Sequence, residues 1–458
     1  MVYSVHNKSK GNYSIILHKY PERRFAIPPR FTNMRKLAAK KDERRNWNPA
    51  DIPFEHKLGK LQGQYLFERK QCTLTVKLRN DEDFAFLNVR IDICGAIWNA
   101  GCTLMREYYI NTKKTMTKGM LYSQLAEMRK HTPSWQLVYS QTVQQIADRI
   151  LAGYELFFTN IEKKKNGAKL KCSPPKCRKI RKQKSMTFKQ YGKGFWFSGK
   201  GEVTIQGRKF RYYDSYDGLL EHVNVHTMTV KRNALGEIFL YITCAADTKG
   251  EIWGDRIAVG MDFGLKCFLT LSDGTVIESP QFFREYIRDV KKLNRALSRR
   301  QGGEPGEEWS KGYRKAQADL ARLHLMISYK RRDWFYKLAR ELCKRYSIIC
   351  IESLNMKAMQ MHGNWGRKVS DLAYSEFIKI LKSVAEKFMT RIVEIGTFFA
   401  STKTCSSCGH VKEDMELDDR TYVCEECGFT MDRDLNAAKN ILREGLRILS
   451  EETADKSA

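Results

Sequence analysis

The sequence predicts a multidomain α+β protein: an α/β core interrupted by a zinc ribbon, preceded by an antiparallel β-barrel that carries a helical insert. Three observations lead there. Cys405, Cys408, Cys424 and Cys427 form two Cys-x2-Cys pairs separated by fifteen residues. Lys plus Arg outnumber Asp plus Glu 81 to 52, a net charge of +29, which points to a polyanionic partner. Hydrophobic periodicity switches between strand-like and helix-like stretches several times over 458 residues, more than one ordinary core accommodates.

Residues 1–69 read as a basic N-terminal extension, with Arg23-Arg24, Arg35-Lys36, Lys40-Lys41 and Arg44-Arg45 among five prolines. Residues 70–82 hold the first barrel strand, alternating through Cys72-Thr-Leu-Thr-Val-Lys-Leu. Residues 83–162 space Leu87, Ile91, Ile97, Val143, Ile146 and Ile150 at helical steps and predict a helical bundle. Residues 163–254 contain strand-like pieces such as Gly194-Phe-Trp-Phe and Ile238-Phe-Leu-Tyr-Ile-Thr, which complete the barrel; their aromatics read as core more readily than as base-stacking platforms.

Residues 162–184 hold eleven lysines and arginines against one acid. Read as a loop, this run favours phosphate contact through Lys163, Lys164, Lys165, Arg178, Lys179 and Arg181, against the alternative of a solvated face. Residues 283–346 predict a helical hairpin turning at Gly302-Gly-Glu-Pro-Gly306, with Arg299, Arg300 and Arg331 on outer positions that suit a duplex.

The four-cysteine frame is a zinc signature: each Cys-x2-Cys turn aims two thiolates at one ion, and Gly409 and Gly428 follow where a tight turn favours positive φ. A closed four-sulfur shell leaves no place for substrate, so one structural Zn²⁺ is expected. The other nine cysteines have no framework spacing and fit a reducing compartment. With no signal peptide and no apolar run of bilayer length, no membrane partner is expected, and the anticipated location is a prokaryotic cytoplasm, in association with the nucleoid.

Three segments place a carboxylate where a metal site would need one. Asp262 ends Ile257-Ala-Val-Gly-Met, Glu352 ends Ile348-Ile-Cys-Ile, and Asp434 lies in Asp432-Arg433-Asp434-Leu-Asn436-Ala-Ala at a helix start. Singly, each serves as readily as a turn or cap residue. Together, in a polybasic chain, they are what a two-metal phosphodiesterase requires: carboxylates holding two Mg²⁺ ions about 4 Å apart.

Met261-Asp-Phe-Gly, Ile351-Glu-Ser-Leu-Asn and Asp432-Arg-Asp-Leu-Asn-Ala-Ala-Lys-Asn-Ile resemble the three split RuvC motifs of the TnpB nucleases and the compact type V CRISPR effectors, over roughly residues 70–445. The cysteine frame is similar to that family's target-nucleic-acid-binding ribbon. The resemblance implies an RNase H-like (RuvC) core across residues 255–400, the zinc ribbon at 401–430, and a third RuvC motif and tail at 431–458. The barrel becomes a wedge domain and the bundle a recognition domain. Asp262, Glu352 and Asp434 would hold Mg²⁺, and Arg433 would contact the scissile strand.

The implied function is an RNA-guided DNA endonuclease, working as a monomer or a homodimer with a guide RNA on double-stranded target DNA beside a short flanking motif. The N-terminal extension departs from TnpB proteins and points to a CRISPR-associated derivative or an intermediate between the two groups. A DNA-joining transposase and a non-catalytic nucleic-acid-binding regulator are the alternatives.

Overall fold

The computed structural model describes residues 2–8, 12–18, 60–168, 170, 172–199, 201–214, 216, 220, 222–264, 267–278, 281–301, 310–353, 372–397, 399–412 and 419–455. The chain divides into two compact units, one from residues 2–19 and 68–248, the other chiefly from residues 20–67 and 249–458.

In the first unit, β1 (Val2–Lys8) and β2 (Asn12–His18) pair as an antiparallel hairpin within the stretch read from sequence as a basic arm. The arginine and lysine clusters at 23–45 lie outside the described residues. The next strand, β3 (Leu61–Lys77), starts nine residues before the boundary expected at residue 70. Alternation continues upstream through Gln62, Gln64 and Glu68, polar residues that mask a strand in a hydrophobicity reading.

Four helices follow: α1 (Ala85–Thr112), α2 (Lys118–His131), α3 (Pro133–Gln136) and α4 (Ser140–Lys165). Leu87, Ile91, Cys94 and Ile97 of α1 are buried with Leu121 and Leu125 of α2 and Val143, Ile146 and Ile150 of α4, the apolar stripes that the spacing predicts. Thr117 caps α2 by accepting from the Met120 amide at 3.3 Å.

The strands β4 (Ser185–Phe188), β5 (Phe195–Gly199), β6 (Glu202–Ile205), β7 (Arg208–Arg211), β8 (Asn224–Arg232) and β9 (Ile238–Trp253) form two antiparallel sheets rather than one continuous ladder. Their orders are β3-β9-β8-β4 and β5-β6-β7. Ile238, Leu240, Ile242 and Cys244 alternate inward along β9, and Phe195, Phe197 and Phe210 are buried.

The second unit is built on a five-stranded mixed sheet, β12-β11-β10-β13-β14. β10 (Ile257–Asp262), β11 (Cys267–Leu271) and β12 (Val276–Glu278) run antiparallel in sequence. The β11–β12 turn is closed by the Thr275 amide donating to Asp273 Oδ1 at 2.9 Å, with Gly274 at φ 92°. A helical excursion through α5 (Phe282–Glu285), α6 (Ile287–Arg299) and α7 (Lys311–Arg345) returns the chain to β13 (Tyr346–Glu352), parallel to β10. The hairpin turn expected at 302–306 lies outside the described residues. α8 (Tyr374–Ala385) then leads to β14 (Arg391–Ile395), parallel to β13.

Val259 and Met261 of β10 and Ile349 and Ile351 of β13 pack in one core with Trp334, Phe335 and Leu338 of α7 and Phe377 of α8. Because side chains alternate along a strand, Gly260 and Cys350 face the other way, toward α9 (Arg433–Asp455). Both crossings depend on glycine. A Cβ on Gly260 would lie 2.1 Å from the Ala438 carbonyl oxygen, and one on Gly445 would lie 2.3 Å from Cys350 Sγ.

Candidate functional site

The alternation that turns Gly260 and Cys350 toward α9 also decides where the acids go. Asp262 and Glu352 are two residues further along their strands, so both face α9 at the C-terminal ends of adjacent parallel strands. α9 begins at Arg433, and Asp434 sits in its first turn. The Asp434 carboxylate reaches the chain leaving β10, with Oδ2 3.8 Å from where a Gly264 Cβ would stand.

Asp262 feels both of the other acids. The Asp262 carboxyl is pushed up to about 7, first by burial and then by the charges of Asp434 and Glu352, with Arg433 and the Phe263 amide opposing. Burial likewise raises Glu352 to about 7. All three acids are half-buried. Carboxylate oxygens are hard donors, the chemistry that Mg²⁺ or Mn²⁺ takes.

The neighbouring acid, Asp432, has a different task. Its Oδ1 accepts from the Asp434 and Leu435 amides, both at 3.0 Å, and so caps α9. The capping alternative open for Asp434 therefore falls to Asp432. Arg433 lies beside Asp434, its Nε 3.4 Å from Oδ1, while its own amide donates to the Arg420 carbonyl at 2.8 Å.

The four cysteines converge, with all four Sγ atoms within 4.8 Å of one another. Cys405 and Cys427 Sγ are 3.8 Å apart and Cys408 and Cys424 Sγ 3.6 Å. Sulfurs at Zn–S bonds of about 2.3 Å stand about 3.8 Å apart along a tetrahedral edge, whereas a disulfide needs about 2.05 Å. The two knuckles are built alike. Cys405 and Cys424 amides donate to His410 and Phe429 carbonyls, both at 2.8 Å, and Gly409 and Gly428 amides return to Cys405 and Cys424 carbonyls at 3.0 and 3.1 Å. Both glycines have positive φ, 84° and 71°. The hairpin of β15 (Thr421–Val423) and β16 (Thr430–Asp432) carries the second knuckle directly into α9.

Two residues that sequence reasoning missed join these features. Asn436 and Asn440, one helical turn apart on α9, are fully buried. Asn436 Nδ2 donates to the Thr404 carbonyl at 2.7 Å, and its Oδ1 accepts from the Ser406 amide at 2.9 Å. Asn440 Nδ2 donates to the Ser401 and Thr404 carbonyls at 2.9 and 2.6 Å, and its Oδ1 accepts from Arg443 at 2.9 Å. The available signal was two asparagines, modest helix formers, spaced to share one helix face. Leu435 is only partly buried; the inward face is Asn436, Ala437, Ala438, Asn440 and Ile441.

The basic residues divide. Lys163, Lys164 and Lys165 are exposed on the last turn of α4, a helix terminus where a loop was expected. The helix dipole favours cations there. Lys179, Arg181, Arg299 and Arg300 are also exposed. Arg178 is half-buried: its guanidinium stacks on Trp98 at 4.2 Å and its backbone amide donates to Asn99 Oδ1 at 2.9 Å. Arg331 pairs with Glu376 of α8 at 3.2 Å and is mostly buried. An aromatic ring holds the Arg178 guanidinium and a carboxylate that of Arg331 within the fold.

A family model described as "Cas12f1-like, TNB domain" matches residues 374–441, and one described as "Probable transposase" matches residues 254–362. A Streptomyces pristinaespiralis protein named "Putative RNA-guided DNA endonuclease" is 33% identical over 220 residues, 48% of this chain and 53% of that protein. The "TnpB-like protein L79" of Acanthamoeba polyphaga mimivirus is 28% identical over 234 residues, 48% of this chain and 44% of its own. The chain thus spans about half the length of the curated relatives it matches. Among solved structures, "Cryo-EM structure of the Cas12f1-sgRNA-target DNA complex" aligns over 78% of this chain and 82% of that one, at 13% identity and a TM-score of 0.49.

Proposed function

On the premise that residues 254–362 match a probable-transposase model and residues 374–441 a Cas12f1-like TNB-domain model, we propose that this protein is an RNA-guided DNA endonuclease with a two-metal carboxylate site. The observation that carries the reading is the placement of Asp262, Glu352 and Asp434 at two parallel strand ends and one helix start, where burial first, and then the charges of Asp434 and Glu352, raise the Asp262 carboxyl to about 7. Asp262, Glu352 and Asp434 would hold two Mg²⁺ ions, which when bound supply Lewis acidity and an activated water for phosphodiester hydrolysis.

The chain's own residues do the positioning. The sheet fixes Asp262 and Glu352 on one face, and the Asp432 cap leaves the Asp434 carboxylate free of duty to the helix terminus. Arg433, paired with Asp434 at 3.4 Å, would exchange that partner for a phosphate of the strand being cut when metal occupies the acids. Cys405, Cys408, Cys424 and Cys427 hold one structural Zn²⁺, which stiffens the ribbon leading into α9. Lys163, Lys164, Lys165, Lys179, Arg181, Arg299 and Arg300 bind phosphates of the guide RNA or the target. Pairing with the guide supplies sequence choice, and the protein reads a short motif flanking the target.

The test is to purify the protein from its host, sequence the RNA that accompanies it, and supply DNA matching that guide. The reading expects a discrete RNA and Mg²⁺-dependent double-strand cleavage. Binding to transposon ends without RNA would instead mean a strand-joining transposase.

A further inference from the structure

The first zinc knuckle and the Asp434 helix are hydrogen-bonded to one another through the side chains of Asn436 and Asn440. Asn436 and Asn440 spend their amides on the backbone of residues 401–406, the segment that carries Cys405 into the knuckle. Thr404 Oγ1 donates to the Ala400 carbonyl at 2.7 Å, holding the same segment in a turn, and the Tyr422 hydroxyl donates to the Lys403 carbonyl at 3.2 Å. Carbonyl and amide partners fix each asparagine's orientation, since one side must donate and the other accept.

Burial makes these bonds costly to lose, because an asparagine amide turned from Thr404 would be stranded in a dry site. The knuckle's shape depends on four sulfurs closing on zinc. Asn436 stands two residues from Asp434, in the turn that aims the carboxylate.

We infer that Asn436 and Asn440 are positioning residues coupling the zinc knuckle to the carboxylate site, so that zinc and the divalent metal at Asp262, Glu352 and Asp434 strengthen each other's binding. The inference rests on the reading of Asp434 as a metal ligand. Coupling of two binding equilibria is reciprocal, so each metal must change the other's affinity by the same factor.

The experiment uses the full-length protein and Mn²⁺ as the probe, with bound Mn²⁺ read by electron paramagnetic resonance and zinc release read with a chromogenic chelator. Stripping zinc should weaken Mn²⁺ binding about tenfold, the usual scale for losing an outer-shell partner, and Mn²⁺ should slow zinc release by a like factor. Asn436→Ala and Asn440→Ala should abolish both effects while each metal still binds. Should these variants fail to fold, the wild-type reciprocity still decides the matter. Mn²⁺ binding that Asp434→Ala abolishes but zinc removal leaves unchanged would overturn the coupling alone. Mn²⁺ binding insensitive to Asp434→Ala would overturn the metal reading and the coupling with it.

Discussion

Gly260 and Ala438 bring β10 and α9 to backbone contact: a Cβ on Gly260 would stand 2.1 Å from the Ala438 carbonyl oxygen. Helix backbone cannot yield as a flexible side chain can, so α9 must shift to admit even a methyl group. Asp434 lies one turn before Ala438 and would move with it. Gly260→Ala should cost about 3 kcal/mol in stability and weaken divalent-metal binding, checked by denaturant unfolding and Mn²⁺ titration of the folded fraction. Unchanged stability would contradict this packing.

The acid cluster predicts a pH dependence whose sign is fixed. The Asp262 carboxyl ionises near 3.8 when unexposed to the fold and at about 7 within it, so the folded state binds more protons between those values. Its contribution is whole below pH 4 and is lost as pH rises through 7. Metal-free protein should therefore lose melting temperature from pH 5 to pH 8, Asp262→Asn should lessen that loss, and added Mg²⁺ should reverse it. A thermal melt series with and without Mg²⁺ checks all three.

The zinc ribbon gives a third expectation. Within the cluster the Cys427 amide lowers the Cys424 thiol while Cys408 and Cys427 are raised, so the four thiols titrate together and metal binding must release their protons. Cys405→Ser removes a buried ligand from the four and should lower zinc content below one per chain, measured by atomic emission. Full occupancy in that variant would contradict the ligand set.

The basic residues separate into two classes with different signatures. Replacing Lys163, Lys164 and Lys165 with alanine should reduce the salt dependence of RNA binding by about 2, near 0.7 per lost phosphate contact, with little change in stability. Arg178→Ala should destabilise its unit by about 1–2 kcal/mol through lost stacking on Trp98 and leave the salt slope alone. Salt titrations and melts of the two variants distinguish these outcomes.

What the sequence made legible was local or periodic. The Cys-x2-Cys frame, the strands ending in Asp262 and Glu352, and the helix stripe of α1 all announce themselves over a few residues. The strand at Leu61 did not, because alternating glutamines hide its apolar face. The partners of Arg178 and Arg331 are far away in sequence or on another helix, and composition treats every arginine alike. Asn436 and Asn440 were hidden for a similar reason: their partners, Ser401, Thr404 and Ser406, lie some 30 to 39 residues away.

The central claim, that Asp262, Glu352 and Asp434 form one metal site that cuts DNA, is tested most directly by cleavage of guide-matched target DNA. Wild-type protein should cut with Mg²⁺ and stop with EDTA, and each of Asp262→Ala, Glu352→Ala and Asp434→Ala should lose about a thousandfold in rate while still binding RNA and target. Cleavage at the wild-type rate by any of the three variants would contradict the account.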